Sequence, residues 1–185
     1  NDLAQVQEEL QNNNGALQSY DKALEIDDNN TQTLLGKGSI LLQLAKYQEA
    51  MQCFSLVITK EKRNVAALQG MGDVHFALQE YDAALESYEA ALLYNSGDLA
   101  SILGKAETLY ARQDYNSSRQ AFSLALKIDP HDLQGLLGNG YCLMALHEYP
   151  GAEDCFASAL AQDPKSVPAL LGKGEALYFQ GDKEQ

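Results

Sequence analysis

The sequence has no tryptophan, four prolines, three cysteines and three histidines in 185 residues, and only 13 basic side chains against 26 acidic ones. Each scarcity excludes something. Cys53, Cys142 and Cys155 form no CxxC pair, and an odd, scattered set fits reduced, buried thiols of a cytoplasmic protein rather than a disulfide framework. His75, His131 and His147 lack ligand spacing, so neither a metal nor any other cofactor is expected. A formal net charge of −13 repels phosphate backbones and anionic lipid, which speaks against nucleic acid and membrane surfaces and for neutral or basic protein partners. Solubility alone would also explain the acid excess. Although 45% of residues are apolar, no run approaches the ~18 that a membrane-spanning helix needs. Asn1 to Leu10 are polar and acidic, unlike a secretory or mitochondrial targeting segment.

What the chain has is repetition. Leu34-Leu-Gly-Lys-Gly38 recurs, slightly altered, at Leu68–Gly72, Ile102–Ala106, Leu136–Gly140 and Leu170–Gly174, each step 34 residues without insertion or deletion. Tyr47, Tyr81, Tyr115 and Tyr149 keep the same step, as do the rings of Tyr20, Phe54, Tyr88, Phe122 and Phe156. Three series in phase over the whole chain mark a repeat architecture.

Helical spacing fills each unit. Leu68, Gly72, His75 and Leu78 mark one face of a first helix, and Tyr81, Ala84, Leu85, Tyr88, Ala91 and Leu92 one face of a second. The polar step Gln79-Glu80 between them suits a tight helix–helix turn. Asn30, Asn64, Asp98, Asp132 and Ser166 precede the first helices, where a side-chain oxygen can accept from an orphaned N–H of the first turn. Pro130, Pro150, Pro164 and Pro168 all fall in connections or first turns, where a missing N–H costs little.

These residues carry a resemblance to the tetratricopeptide repeat (TPR) family, with its pattern W-x2-L-G-x2-Y…A-x3-F…P. Its second half stands here as Ala16/Tyr20, Ala50/Phe54, Ala84/Tyr88, Ser118/Phe122 and Ala152/Phe156, and its proline as Pro130 and Pro164. In its first half, Leu34, Leu68, Ile102, Leu136 and Leu170 replace the tryptophan, and the small residue stays Gly or Ala. The resemblance implies an all-α fold, a right-handed superhelix of antiparallel helix pairs. On this phase a single solenoid spans 1–185, with an incomplete unit at 1–30, units at 31–64, 65–98, 99–132 and 133–166, and a first helix alone at 167–185. Solenoids normally end in a polar cap; none is visible, so the chain reads as part of a longer array or as one whose ends pack on something.

Little points to catalysis, and no enzyme is expected within these residues. The paired glycines (Gly36/Gly38, Gly70/Gly72, Gly138/Gly140, Gly172/Gly174) never extend to GxGxxG or a P-loop and lie inside helices. Nucleophile-elbow, HExxH and calcium-loop patterns are missing. Function then rests on surfaces.

In relatives of this pattern the first-helix face turned away from the second helix lines a concave groove that holds a peptide or helix. Here that face reads Leu35 and Leu42, then Asp73 and Phe76, then Leu103, Glu107 and Tyr110, then Leu137, Tyr141 and Met144, and finally Leu171, Glu175, Tyr178 and Phe179, the rest being Gln, Ser, Ala, Gly and Pro, with no Lys, Arg or His. TPR co-chaperones that clamp an acidic chaperone C-terminus use Lys, Arg and Asn on this face, so that ligand does not fit. The expected role is a protein-interaction scaffold holding an apolar segment, with basic residues compatible with the three acids, anchored by Leu103, Tyr110, Leu137, Tyr141 and Met144. The same side chains could instead simply fill the inner wall. Two other roles stay open: homo-oligomerisation through the uncapped ends, and a targeting arm of an enzyme whose catalytic domain lies elsewhere. One residue type has no ready explanation. Glycine recurs at the sixth position of all five first helices (Gly36, Gly70, Gly104, Gly138, Gly172), at about 0.5–1 kcal/mol each relative to alanine. Close packing of first helices or a ligand against the backbone would each offset that.

Overall fold

A computed structural model describes the backbone of residues 2–183 and the side chains of residues 12–181. The described residues are helical throughout, joined by short turns, and group into two compact units, 1–94 and 95–185. The first unit holds α1 (Asp2–Ile26), α2 (Thr31–Gln43), α3 (Tyr47–Lys60), α4 (Val65–Ala77) and α5 (Tyr81–Tyr94). The second holds α6 (Leu99–Ala111), α7 (Tyr115–Ile128), α8 (Leu133–Ala145), α9 (Tyr149–Gln162) and α10 (Val167–Lys183).

Helix starts follow from capping chemistry. Asn30, Asn64, Asp98 and Asp132 sit in extended backbone and accept from the N–H groups of Thr33, Ala67, Ser101 and Gly135. Each bond satisfies one donor that the first turn would otherwise orphan. The turns inside the pairs are built on a feature the sequence hides. Ala45, Gln79, Gln113 and His147, again 34 residues apart, have φ between 56° and 65°. Each sits just past a first helix and donates its N–H three residues back, while the next residue donates to the carbonyl five back, as in Ala45 to Leu42 and Lys46 to Leu41. This is the Schellman arrangement, usually made with glycine. Here non-glycine residues accept the left-handed conformation so that a three-residue turn can reverse the chain.

The expected pair inside 1–30 departs from this plan, because α1 runs unbroken from Asp2 to Ile26. The physical reason is readable in the residues. Where later units have the tyrosine that opens the second helix, this one has Asn13.

Within each unit the packing is that of consecutive pairs. α2 packs on α3, α4 on α5, α6 on α7 and α8 on α9, and each second helix packs on the next first helix of its unit. First helices also touch one another directly, α2 with α4 and α6 with α8 with α10. The core of the first unit gathers Leu34, Leu41, Ala50, Phe54, Val57, Ala67 and Val74. In the second, Leu143, Ala152, Phe156 and Ala176 form one cluster and Leu136, Ala159 and Ala169 another.

The candidate peptide-binding face

The glycines explain how the first helices are spaced. A Cβ on Gly38 would meet the Phe54 ring at 2.8 Å, and one on Gly70 would meet the same ring at 2.5 Å. Phe54, 2% exposed, is thus held between the first helix of its own pair and that of the next. Phe156 is held in the same way between Gly140 and Gly172. Tyr20 fills the space over Gly36, and Phe122 the space over Gly138. At these four positions the sixth-residue glycine therefore makes room for an aromatic ring of the preceding helix. The ring fills the close approach of neighbouring first helices, and no ligand against the backbone is needed to account for the glycine.

The residues expected to line the groove fall into three groups. Leu103 is only 6% exposed and so offers little surface. Leu35 and Leu42 are half-buried and pack against the first unit's core. Leu137, Tyr141 and Met144 are likewise half-buried against the Phe156 cluster. They fill the wall and show one edge outward. Phe76 packs its ring against Tyr81 at 6.0 Å, and Tyr110 against Tyr115 at 5.3 Å, edge to face. The open side chains are Tyr110, 37% exposed, and Tyr178, 65% exposed. On α10 they are joined by Leu171, 63% exposed, a neighbour the anchor set had left out although it occupies the same register.

In the second unit α6, α8 and α10 set these groups side by side. Tyr141 meets the Phe156 ring edge-on at 5.3 Å, and its hydroxyl donates to the Pro168 carbonyl in the first turn of α10 at 3.4 Å. Burial pushes the Tyr110 hydroxyl above the usual phenol range, with Tyr115, Cys142 and Tyr141 adding to the rise. Burial does the same for Tyr141, helped by the negative charge of Glu175. Both phenols therefore stay neutral donors.

The three acids of the face differ. Asp73 accepts from Gln69 at 2.9 Å and from the Tyr88 hydroxyl at 2.7 Å. Glu107 accepts from Gln134 of α8 at 2.7 Å, a bond that ties α6 to α8. Glu175 is exposed. The nearest lysine in sequence, Lys173, points to Glu153 of α9 at 3.9 Å.

Other chemistry is sparse. Among the described residues no group of three or more His, Cys, Asp or Glu converges as a metal site, and no helix is long and apolar enough to cross a membrane. Cys53 and Cys142 are buried and Cys155 partly so. Desolvation pushes all three thiols up, away from the reactive thiolate.

Comparison with known proteins agrees with this geometry. Three tetratricopeptide repeat models match the chain, one at residues 1–30 and 31–59, one at 70–132 and one at 109–168. No curated protein sequence matches it. Among solved structures it is similar to TTC0263, a thermophilic TPR protein of Thermus thermophilus, with 16% identity, a TM-score of 0.76 and coverage of 95% of this chain and 96% of that one. It is also similar to MamA, at 18% identity and TM-score 0.73 over 88% of this chain and 95% of that one. A third is YrrB, a TPR protein with an unusual peptide-binding site, at 21% identity and TM-score 0.70 over 94% and 89%. At these identities the likeness concerns the fold. With its 34-residue period, its paired helices and the matches at 1–59 and 70–168, the chain belongs to the tetratricopeptide repeat family.

Proposed function

We propose that the chain is a non-catalytic protein-interaction module and that the face formed by α6, α8 and α10 binds an apolar, basic segment of a protein partner. The observation that carries this is the make-up of that face. Tyr110, Leu171 and Tyr178 are open, Tyr141 and Met144 are half-open behind them, and Glu107 and Glu175 bring the only charges at these register positions. Aromatic side chains with few rotatable bonds, set in a partly desolvated wall, are the residues on which binding energy concentrates. Acid without a balancing cation favours a basic ligand over an acidic one and steers its approach. The peptide-binding site named for YrrB belongs to a protein with the same fold and supports a peptide as the kind of ligand.

The test is selection of a random peptide library displayed against the intact 185-residue chain, followed by titration of the enriched peptides. The reading expects peptides that combine apolar with basic residues, and a loss of about tenfold or more in affinity on Tyr110→Ala or Tyr141→Ala, the size of an interface hot spot. Enrichment of acidic peptides, or affinities indifferent to both substitutions with helicity intact, would reject it.

A further inference from the structure

One turn of the chain breaks its acidic pattern. Lys60, Lys62 and Arg63, three of the 13 basic residues, fall within four positions at the α3–α4 turn. The equivalent turns at 27–30, 95–98, 129–132 and 163–166 hold a single lysine between them, Lys165. Lys60, Glu61, Lys62, Arg63 and Asn64 line one open depression of about 630 Å³, and all but Asn64 are exposed.

Neighbouring elements hold two of the three cations in place. Lys60 Nζ donates to the Asn29 carbonyl of the preceding turn at 3.1 Å. The Arg63 guanidinium lies 5.7 Å from the centre of the Tyr94 ring at the end of α5, within cation–π range. Glu61, the one acid of the turn, is engaged by the chain's own donors. One of its oxygens accepts from the Thr31 hydroxyl and the other from the Asn64 side-chain amide. That arrangement departs from the other turns. Asp27, Asn95, Asp129 and Asp163 each accept, through a side-chain oxygen, from the N–H two residues on, at 2.9–3.2 Å. The longer Glu61 makes no such bond, so the Arg63 N–H is left to an oxygen from outside the turn.

The ligand that fits is one compact anion of high charge. Three cations less one carboxylate leave the turn at +2, close to the charge of about −1.5 to −2 that a phosphate monoester carries at neutral pH. Its three free oxygens would accept from Lys62, from the Arg63 guanidinium and from the Arg63 N–H, as charge-assisted bonds. A long polyanion fits badly, because Asp27 and Asp28 stand on the adjoining turn and the whole chain carries −13. Tyr94, 44% exposed, offers an apolar surface beside the charge to the residues flanking the phosphate. We propose that the Lys60–Arg63 turn is a second binding site, which takes a single phosphorylated side chain on a segment of a protein partner. It lies in the first unit and stands apart from the reading of the α6, α8 and α10 face.

The experiment passes degenerate peptide pools with a fixed central phosphoserine, aspartate or serine over the immobilised intact chain. Wild type should retain the phosphoserine pool about tenfold better than the serine pool, the scale of two or three exposed charge-assisted contacts, with aspartate close to serine. K62S combined with R63S, both at exposed positions, should abolish the difference with helicity intact, while Tyr110→Ala and Tyr141→Ala leave it unchanged. E61D keeps every charge, restores the short acceptor for the Arg63 N–H and should shrink the difference. Equal retention of the phosphoserine and serine pools, or a difference that survives K62S with R63S, would overturn the site. Loss of the difference in Tyr110→Ala or Tyr141→Ala would move it to the other face, and no response to E61D would remove the Arg63 N–H from it. Aspartate retained as well as phosphoserine would overturn phosphate as the ligand. Displacement of the phosphopeptides by an equal concentration of inorganic phosphate would overturn the protein segment as the occupant. So would capture of phosphatidic acid vesicles in preference to the phosphopeptides.

Discussion

Replacing Gly70 by alanine should destabilise the protein, although alanine is the better helix former. The gain from propensity is about 0.5–1 kcal/mol. Against it stands the Phe54 ring, which the new Cβ would meet at 2.5 Å, roughly 1 Å inside ordinary carbon–carbon contact. A ring tip can often swing away, but this one also lies against Gly38, where a Cβ would meet it at 2.8 Å, and is 2% exposed. Overpacking of a closed site costs about 1–3 kcal/mol, so the net effect should be a loss of about 1–2 kcal/mol. For a chain of this length that lowers Tm by about 3–6 °C. Gly15 and Gly174 supply controls, since a Cβ at either meets nothing within 4 Å. Gly15→Ala and Gly174→Ala should each stabilise by about 0.5–1 kcal/mol. Thermal and guanidinium unfolding followed by far-UV circular dichroism would read all three, and Phe54→Leu combined with Gly70→Ala should cost less than the sum of the two. If Gly70→Ala stabilises like the controls, the ring is not clamped and the explanation of the recurrent glycines is wrong.

Further expectations follow from single residues. Gln113→Gly should stabilise by about 0.5–1 kcal/mol, because relief of a left-handed residue outweighs the added unfolded-chain entropy; a drop in Tm would show that the turn at φ 65° carries no strain. Ser101 is fully buried with its hydroxyl unpaired, while Ala67 and Ala169 occupy the same place in other units at 0% exposure, so Ser101→Ala should raise stability by about 1 kcal/mol. Asp132→Ala removes the acceptor for the Gly135 N–H and should cost about 1 kcal/mol by the same unfolding assay. With thiols pushed upward by burial, Cys53 and Cys142 should resist an aromatic disulfide reagent at about pH 8, near the ordinary thiol range, until the protein is denatured. Labelling of the native protein at free-thiol rates would contradict that placement.

Much of the fold was legible because one period governs it. The first helices begin at Thr31, Val65, Leu99, Leu133 and Val167 and the later second helices at Tyr47, Tyr81, Tyr115 and Tyr149, where capping residues and the tyrosine series had marked them. The left-handed residues were not legible, since Ala and Gln carry no preference for that conformation and the hydrogen bonds of the finished turn impose it. Nor was the role of the sixth-position glycine, because the ring it accommodates lies 16 residues earlier on a different helix. The candidate face was legible as a register but not as a surface: the same position of the repeat gives buried Leu103 and exposed Leu171. Depth is a tertiary property that period alone does not encode.

The most direct measurement is mapping of a selected peptide onto the intact chain by amide and aromatic chemical-shift changes in NMR. Perturbations gathered on Tyr110, Tyr141, Leu171, Glu175 and Tyr178, with α7 and α9 unaffected, are the result expected if the first-helix face binds. Perturbations confined to α7 and α9 would place the ligand on the opposite layer and contradict it.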